Sequence, residues 1–250
     1  MTGCKGDCMD SNNKATLNMY FLLDTSGSMV GEKLAQLNRC MGDLIPKLKN
    51  AAYEEAVNLV IRIMTFGGAG IDWRNGTTAE RGVLIEDFIW SDIKEVQGPT
   101  PMTSAIKKLT DAIKQEYLGN NPLLKPVVIL VTDGCNTDND KDFNVVCDRI
   151  KNKLGCEITR IVIAIGNDVD NRELSAFASN GSLGKNKPYI FNVANSIHMA
   201  ELIQSVSVGS VVDAGSHSTQ IIDSMCKEQD TDCRTYSFVE RIPDEDDDWL

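Results

Sequence analysis

The chain has 250 residues, 42% of them hydrophobic, and a formal net charge of -11 at pH 7. That length accommodates one sizeable domain, and the apolar share suits an ordinary globular fold. The acidic balance excludes a phosphate-tracking nucleic-acid binder, which needs a basic face, and it disfavours adhesion to anionic membranes.

Residues 1–14, MTGCKGDCMDSNNK, form a polar N-terminal segment with no apolar stretch of leader length. No run in the chain approaches the roughly 18 apolar residues of a membrane span, so a cytoplasmic location is expected. The eight cysteines accompany an aliphatic-rich sequence that can build a core without disulfides, which makes thiols the expectation.

From residue 15 onward, apolar runs rich in branched residues alternate with stretches of helical period. LNMYFLL (17–23), AVNLVIRIMTF (56–66), VVILVT (127–132), ITRIVIAIG (158–166) and YIFNV (189–193) are continuously apolar, the pattern of strands buried on both faces of a parallel sheet. Between them, Leu34, Leu37, Met41, Leu44, Ile45 and Leu48 keep one helical face, and Met102, Ala105, Ile106, Leu109, Ile113 and Tyr117 keep another. Phe143, Val146, Ile150 and Leu154 make a third stripe, Leu174, Phe177 and Ala178 a short fourth, and Ile197, Leu202, Ile203 and Val206 a fifth. RGVLIEDFIW (81–90) follows the second strand after the Gly-rich GGAGIDWRNG, a spacing that predicts a hairpin and an antiparallel edge strand. Strand and helix in alternation predict a doubly wound, Rossmann-like α/β sheet of six strands with helices on both faces. Beyond Val212 the periodicity fades, and 213–250 is expected to be a loosely packed acidic extension.

Ligands of such sheets sit beyond the carboxyl ends of the strands, where the strand order reverses. Asp24, Ser26 and Ser28 lie just past the first strand, and Asp133 ends a later central one. Thr100 stands between Pro99 and Pro101 in the loop QGPTPMTSAI, which leads into a helix. Serine and aspartate also cap helices on their own account, the bland reading of Asp24, Ser26 and Ser28. Together the five oxygen donors suit a hard divalent cation, magnesium first, with manganese or calcium as substitutes. No thiolate or imidazole favours zinc or copper. An ion held mainly by neutral hydroxyls keeps much of its charge and attracts a carboxylate from outside.

D-x-S-x-S after a first strand, a threonine in a G-x-T loop and an aspartate in TDG after the fourth strand resemble the metal-ion-dependent adhesion site of von Willebrand factor A (vWA) domains. The resemblance covers about 15–212. It implies Asp24, Ser26, Ser28, Thr100 and Asp133 as the metal shell, and a sheet of order 3-2-1-4-5-6 with strand three antiparallel. FLLDTSGSMVGEKLAQLN and GPTPMTSAI are similar to the small bacterial TerY-like branch associated with tellurite resistance. That implies a cytoplasmic protein-interaction module with a kinase, phosphatase or stress protein as partner. Pro99 stands where the family usually has a second glycine.

Other motifs read more plainly. TDNDKD opens like a calcium loop, but its sixth position is Phe143 and its twelfth Arg149, so Asp138, Asp140 and Asp142 are expected to stabilise a helix N-terminus. Asp168 and Asp170 receive the same reading. Cys4, Cys8, Cys226 and Cys233 would form a clasp only if the chain ends meet, and their spacings lack zinc-ribbon tightness. PDEDDDWL at the C-terminus reads as a solvated end, with docking onto a basic surface or onto a neighbouring copy's metal as alternatives. The only histidines, His198 and His217, fall outside the strand-end loops. With no base for proton transfer, a metal-dependent phosphohydrolase is the lesser reading, beside that of an adaptor for an AAA+ ATPase.

Overall fold

The computed structural model describes residues 14–228, apart from residue 69 and residues 95–96, 118–123, 139, 153–156, 167–168, 182–186 and 194–195. Cys4, Cys8, Asp168, Cys233 and the acidic C-terminal run lie outside the described residues.

The continuous apolar runs form the sheet. Its strands are β1 (Thr16–Asp24), β2 (Asn58–Gly67), β3 (Gly70–Arg74), β4 (Val83–Leu84), β5 (Val127–Thr132), β6 (Thr159–Ile165) and β7 (Ile190–Val193). The order is β3-β2-β1-β5-β6-β7, with the two-residue β4 also paired to β2. β1, β2, β5, β6 and β7 are mutually parallel, while β3 and β4 run antiparallel to β2.

The expected architecture is present with seven strands rather than six. The difference lies at the edge, where residues 70–74, inside the segment taken for a turn, form the main antiparallel strand. Residues 81–90 contribute only Val83–Leu84 and a 3-10 turn at Ile85–Asp87. Edge strands need no continuous apolar run, and GIDWR has no buried residue to announce it.

The sheet is covered on both sides by α1 (Glu32–Glu54), α2 (Met102–Tyr117), α3 (Asp140–Asn152), α4 (Asn171–Phe177), α5 (Ser196–Gly215) and α6 (Gln220–Glu228). Alternation along β1 separates two cores. Leu17, Met19, Phe21 and Leu23 pack with the buried stripes of α1, α5 and α6. Tyr20 and Leu22 pack with those of α2, α3 and α4.

The expected boundary at Val212 falls inside α5, and α6 follows. Ile222, Met225 and Cys226 of α6 are buried in the same core as α1 and α5. Asp213 ties the two helices by accepting hydrogen bonds from the Ile221 and Ile222 N–H groups, both at 3.0 Å, and from the Ser218 hydroxyl at 2.9 Å. α5 is apolar nearly all round because it is wedged between the sheet, α1 and α6. Its buried Ser207 and Ser210 are satisfied by donating to the Ile203 and Val206 carbonyls one turn back. Among the described residues no helix is long and apolar enough to cross a membrane.

Candidate metal centre

The strand order reverses between β1 and β5, and the centre lies at their carboxyl ends. The register pairs Leu23 with Val131, which brings Asp24 beside Thr132. The Thr132 hydroxyl donates to Asp24 Oδ2 at 2.6 Å, and the Ser26 N–H donates to Oδ1 at 2.8 Å. Asp24 is fully buried. Burial pushes its carboxyl above the ordinary range, against the hydrogen bonds from Thr132 and Ser26 that pull it down; the neighbouring Asp133 charge adds to the rise.

Ser26 precedes a 3-10 turn, Gly27–Met29, and Ser28 lies within it; their hydroxyls are 3.0 Å apart. Neither that turn nor α1 has a side-chain cap, so the capping reading of these residues is not realised. The Ser28 hydroxyl instead crosses to the turn just after β5 and donates to Asp133 Oδ1 at 2.6 Å.

Thr100 arrives from the third loop and is buried. Its N–H donates to Thr137 Oγ1 at 2.8 Å, and its carbonyl accepts from the Thr137 and Met102 N–H groups. A Cβ placed on Gly134 would be 3.6 Å from Thr100 Oγ1 and 3.8 Å from Ser28 Oγ, so both hydroxyls face the same small space beside Asp133. All five residues singled out in the sequence therefore come together. The other hydroxyl residues of QGPTPMTSAI do not join them, because Thr103 Oγ1 accepts from Asn136 Nδ2 and Ser104 lies in the first turn of α2.

Main chain holds the loops in place. The Gly68 N–H donates to the Gln97 carbonyl, the Gln97 N–H to the Thr25 carbonyl, and the Gly27 N–H to the Gly98 carbonyl. Gly68 and Gly98 touch so closely that a Cβ on Gly98 would lie 2.6 Å from Gly68 Cα, and Gly98 has φ +71. Pro99 is exposed, and the contacts run through its neighbours Gly98 and Thr100, so its missing N–H leaves the mesh intact.

Three contributors escaped the sequence reading. Thr132 looked like the end of an apolar strand. Lys33, which no motif singles out, has its Nζ 2.5 Å from Asp133 Oδ2. Asp138, expected to serve the helix that follows it, accepts from the Ser104 N–H and so caps α2 from across the site. Asp170 does cap its own helix, accepting from the Arg172 and Glu173 N–H groups. A cleft bordered by Cys135, Asn136 and Arg172 opens beside the Asp133 turn.

The donor set fits a hard cation: Asp24, Ser26, Thr100 and Asp133 are buried and Ser28 lies at the exposed mouth, and the five residues offer hydroxyl and carboxylate oxygens with no sulfur or imidazole among them. Among the described residues no group of three or more His, Cys, Asp or Glu side chains gathers as a separate metal site.

A model of the von Willebrand factor type A domain matches residues 18–205. The chain belongs to the von Willebrand factor type A family. The human inter-alpha-trypsin inhibitor heavy chain H6 is 23% identical over 161 residues, 61% of this chain and 12% of that protein. The chain thus spans only a small part of the curated relative it matches. Among solved structures, the pilus adhesin SpaC of Lactobacillus rhamnosus GG aligns with a TM-score of 0.60 at 12% identity, covering 80% of this vWA chain and 30% of that one. The manganese-loaded TRAP protein of Plasmodium vivax aligns with a TM-score of 0.50 at 16% identity, covering 79% and 73%. These likenesses are of fold.

Proposed function

We propose that this vWA domain is a divalent-metal-dependent protein-interaction module. In this reading Asp24, Ser26, Ser28, Thr100 and Asp133 hold magnesium, and a partner protein's Asp or Glu completes the coordination. One observation carries the reading: three separate loops converge at the sheet's switch point, where Ser26, Ser28 and Asp133 are linked by hydrogen bonds and the Thr100 hydroxyl faces the same space. The manganese-loaded state of TRAP, a vWA-fold neighbour, is in keeping with it. The likeness of the Asp24 and Thr100 loops to the TerY-like branch supports a stress-related role, with a kinase, phosphatase or tellurite-resistance protein as the partner.

A hydrolase is disfavoured. His198 lies in α5 and His217 in the α5–α6 turn, so neither belongs to the loops that carry the five residues, and in this reading the two carboxylates among the described residues of the site, Asp24 and Asp133, serve the metal rather than proton transfer.

Calorimetric titration with Mg2+ and Mn2+ tests the metal site. Asp24→Ala or Thr100→Ala should lower affinity by about 10–100-fold, on the scale of losing a group that supports a metal. Pull-down with the whole chain should recover a partner in Mg2+ and lose it in EDTA. Metal affinity unchanged in both folded variants overturns the reading, and copurification of an ATPase insensitive to EDTA replaces it with the adaptor role.

A further inference from the structure

The ion pair between α1 and β5 alters the charge of the centre. Lys33 is the second residue of α1, and its ammonium lies 2.5 Å from Asp133 Oδ2 while Ser28 donates to Oδ1 at 2.6 Å. The lysine side chain is 36% exposed and the aspartate side chain 0%. One short stretch, Ser28 to Lys33, therefore occupies both oxygens of Asp133. Asp24 differs, since the Ser26 N–H and the Thr132 hydroxyl that donate to it are neutral.

Serine and threonine hydroxyls carry no charge, so Asp24, Asp133 and Lys33 together leave the centre with a formal charge of about minus one. A divalent ion in that setting keeps about one positive charge, whereas two uncompensated aspartates would neutralise it.

We propose, building on the metal-dependent reading above, that Lys33 is a positioning residue that cancels the charge of Asp133 and so makes the centre depend on a carboxylate from outside. Its ammonium weakens the hold on the metal and strengthens the pull of the loaded centre on an acid. A lysine serving only to pin α1 to the sheet would affect folding and leave both binding steps in place. For charges a few ångströms apart near a protein surface, removing one positive charge beside a dication shifts affinity by about tenfold.

The test uses the full chain, Mn2+ and acetate as probes. Mn2+ is titrated calorimetrically into the wild type, Lys33→Met, Lys33→Arg and Asp24→Ala. Acetate is then titrated into the Mn2+-loaded proteins, with displacement of exchangeable water followed by water-proton relaxation. Lys33→Met should bind Mn2+ about tenfold more tightly and, once loaded, bind acetate about tenfold more weakly, while Lys33→Arg should match the wild type. Thermal melting without metal identifies any variant that misfolds. Equal or weaker Mn2+ binding by Lys33→Met, or unchanged acetate binding, overturns the role of Lys33 and leaves the metal site standing. Equal absence of Mn2+ binding in the wild type and Asp24→Ala overturns the metal site itself, and this inference with it.

Discussion

Gly98→Ala tests the main-chain mesh directly. The new Cβ would lie 2.6 Å from Gly68 Cα, with Gly68 N at 3.4 Å, so only backbone atoms are available to yield. Relief needs a shift of about 0.8 Å to reach an ordinary contact, and overpacking of that kind costs about 1–3 kcal/mol. The φ of +71 adds about 1–2 kcal/mol for a residue that carries a Cβ. Together these give about 2–5 kcal/mol, a large share of the roughly 5–15 kcal/mol that keeps a domain folded. At about 2–4 °C per kcal/mol for a domain of this size, the melting temperature should fall by about 4–20 °C. Gly76→Ala is the control, since its φ is +76 but the nearest atom to its Cβ is Val83 Cγ2 at 4.0 Å. It should cost about 1–2 kcal/mol. Urea unfolding followed by tryptophan fluorescence measures both, and Mn2+ titration should show weakened binding for Gly98→Ala alone. Equal destabilisation of the two variants would refute the claim that backbone contact between Gly68 and Gly98 sets the position of the Thr100 loop.

Three further outcomes are expected. The Asp24 carboxyl is raised from its ordinary value of 3.8, chiefly by burial. In the metal-free protein its contribution to stability is therefore full below that value and lost as pH rises through the raised one. Asp24→Asn in EDTA should lack this component, and urea titrations across that window will show whether the wild-type and variant curves diverge with rising pH. Thr132→Val removes the donor to Asp24 Oδ2 and should cost about 1–3 kcal/mol in chemical denaturation, for a buried carboxylate oxygen left short of a partner. Ile222→Ala, in α6, should cost about 2–5 kcal/mol by leaving a cavity against α5, whereas a loosely packed extension would tolerate the change with no shift in the denaturation midpoint.

The parts of the fold that were legible in sequence are those whose physics is local. Runs such as VVILVT have to be buried on both faces, and five of them in alternation with helical stripes leave few topologies besides a doubly wound sheet. Asp24, Ser26, Ser28, Thr100 and Asp133 were legible because hydroxyls and acids at strand ends have few reasons to recur. What stayed hidden depends on contacts across the chain. GIDWR becomes a strand only because β2 offers it an edge, and α6 is held by Asp213 and by apolar surface already built from α1 and α5. Lys33 and Asp133 are 100 residues apart in the chain, as are the two ends of no local motif. Their pairing is visible only once β1 and β5 lie side by side.

Because the loops are stitched together through peptide groups, their spacing depends little on the identity of the exposed side chains at the rim. Residues on the rim such as Val30, 61% exposed, can be exchanged without disturbing the oxygens beneath. If the centre binds as proposed above, the rim can change its partner by substitution while the backbone beneath keeps its spacing, and the same property makes the rim a place to graft a new specificity.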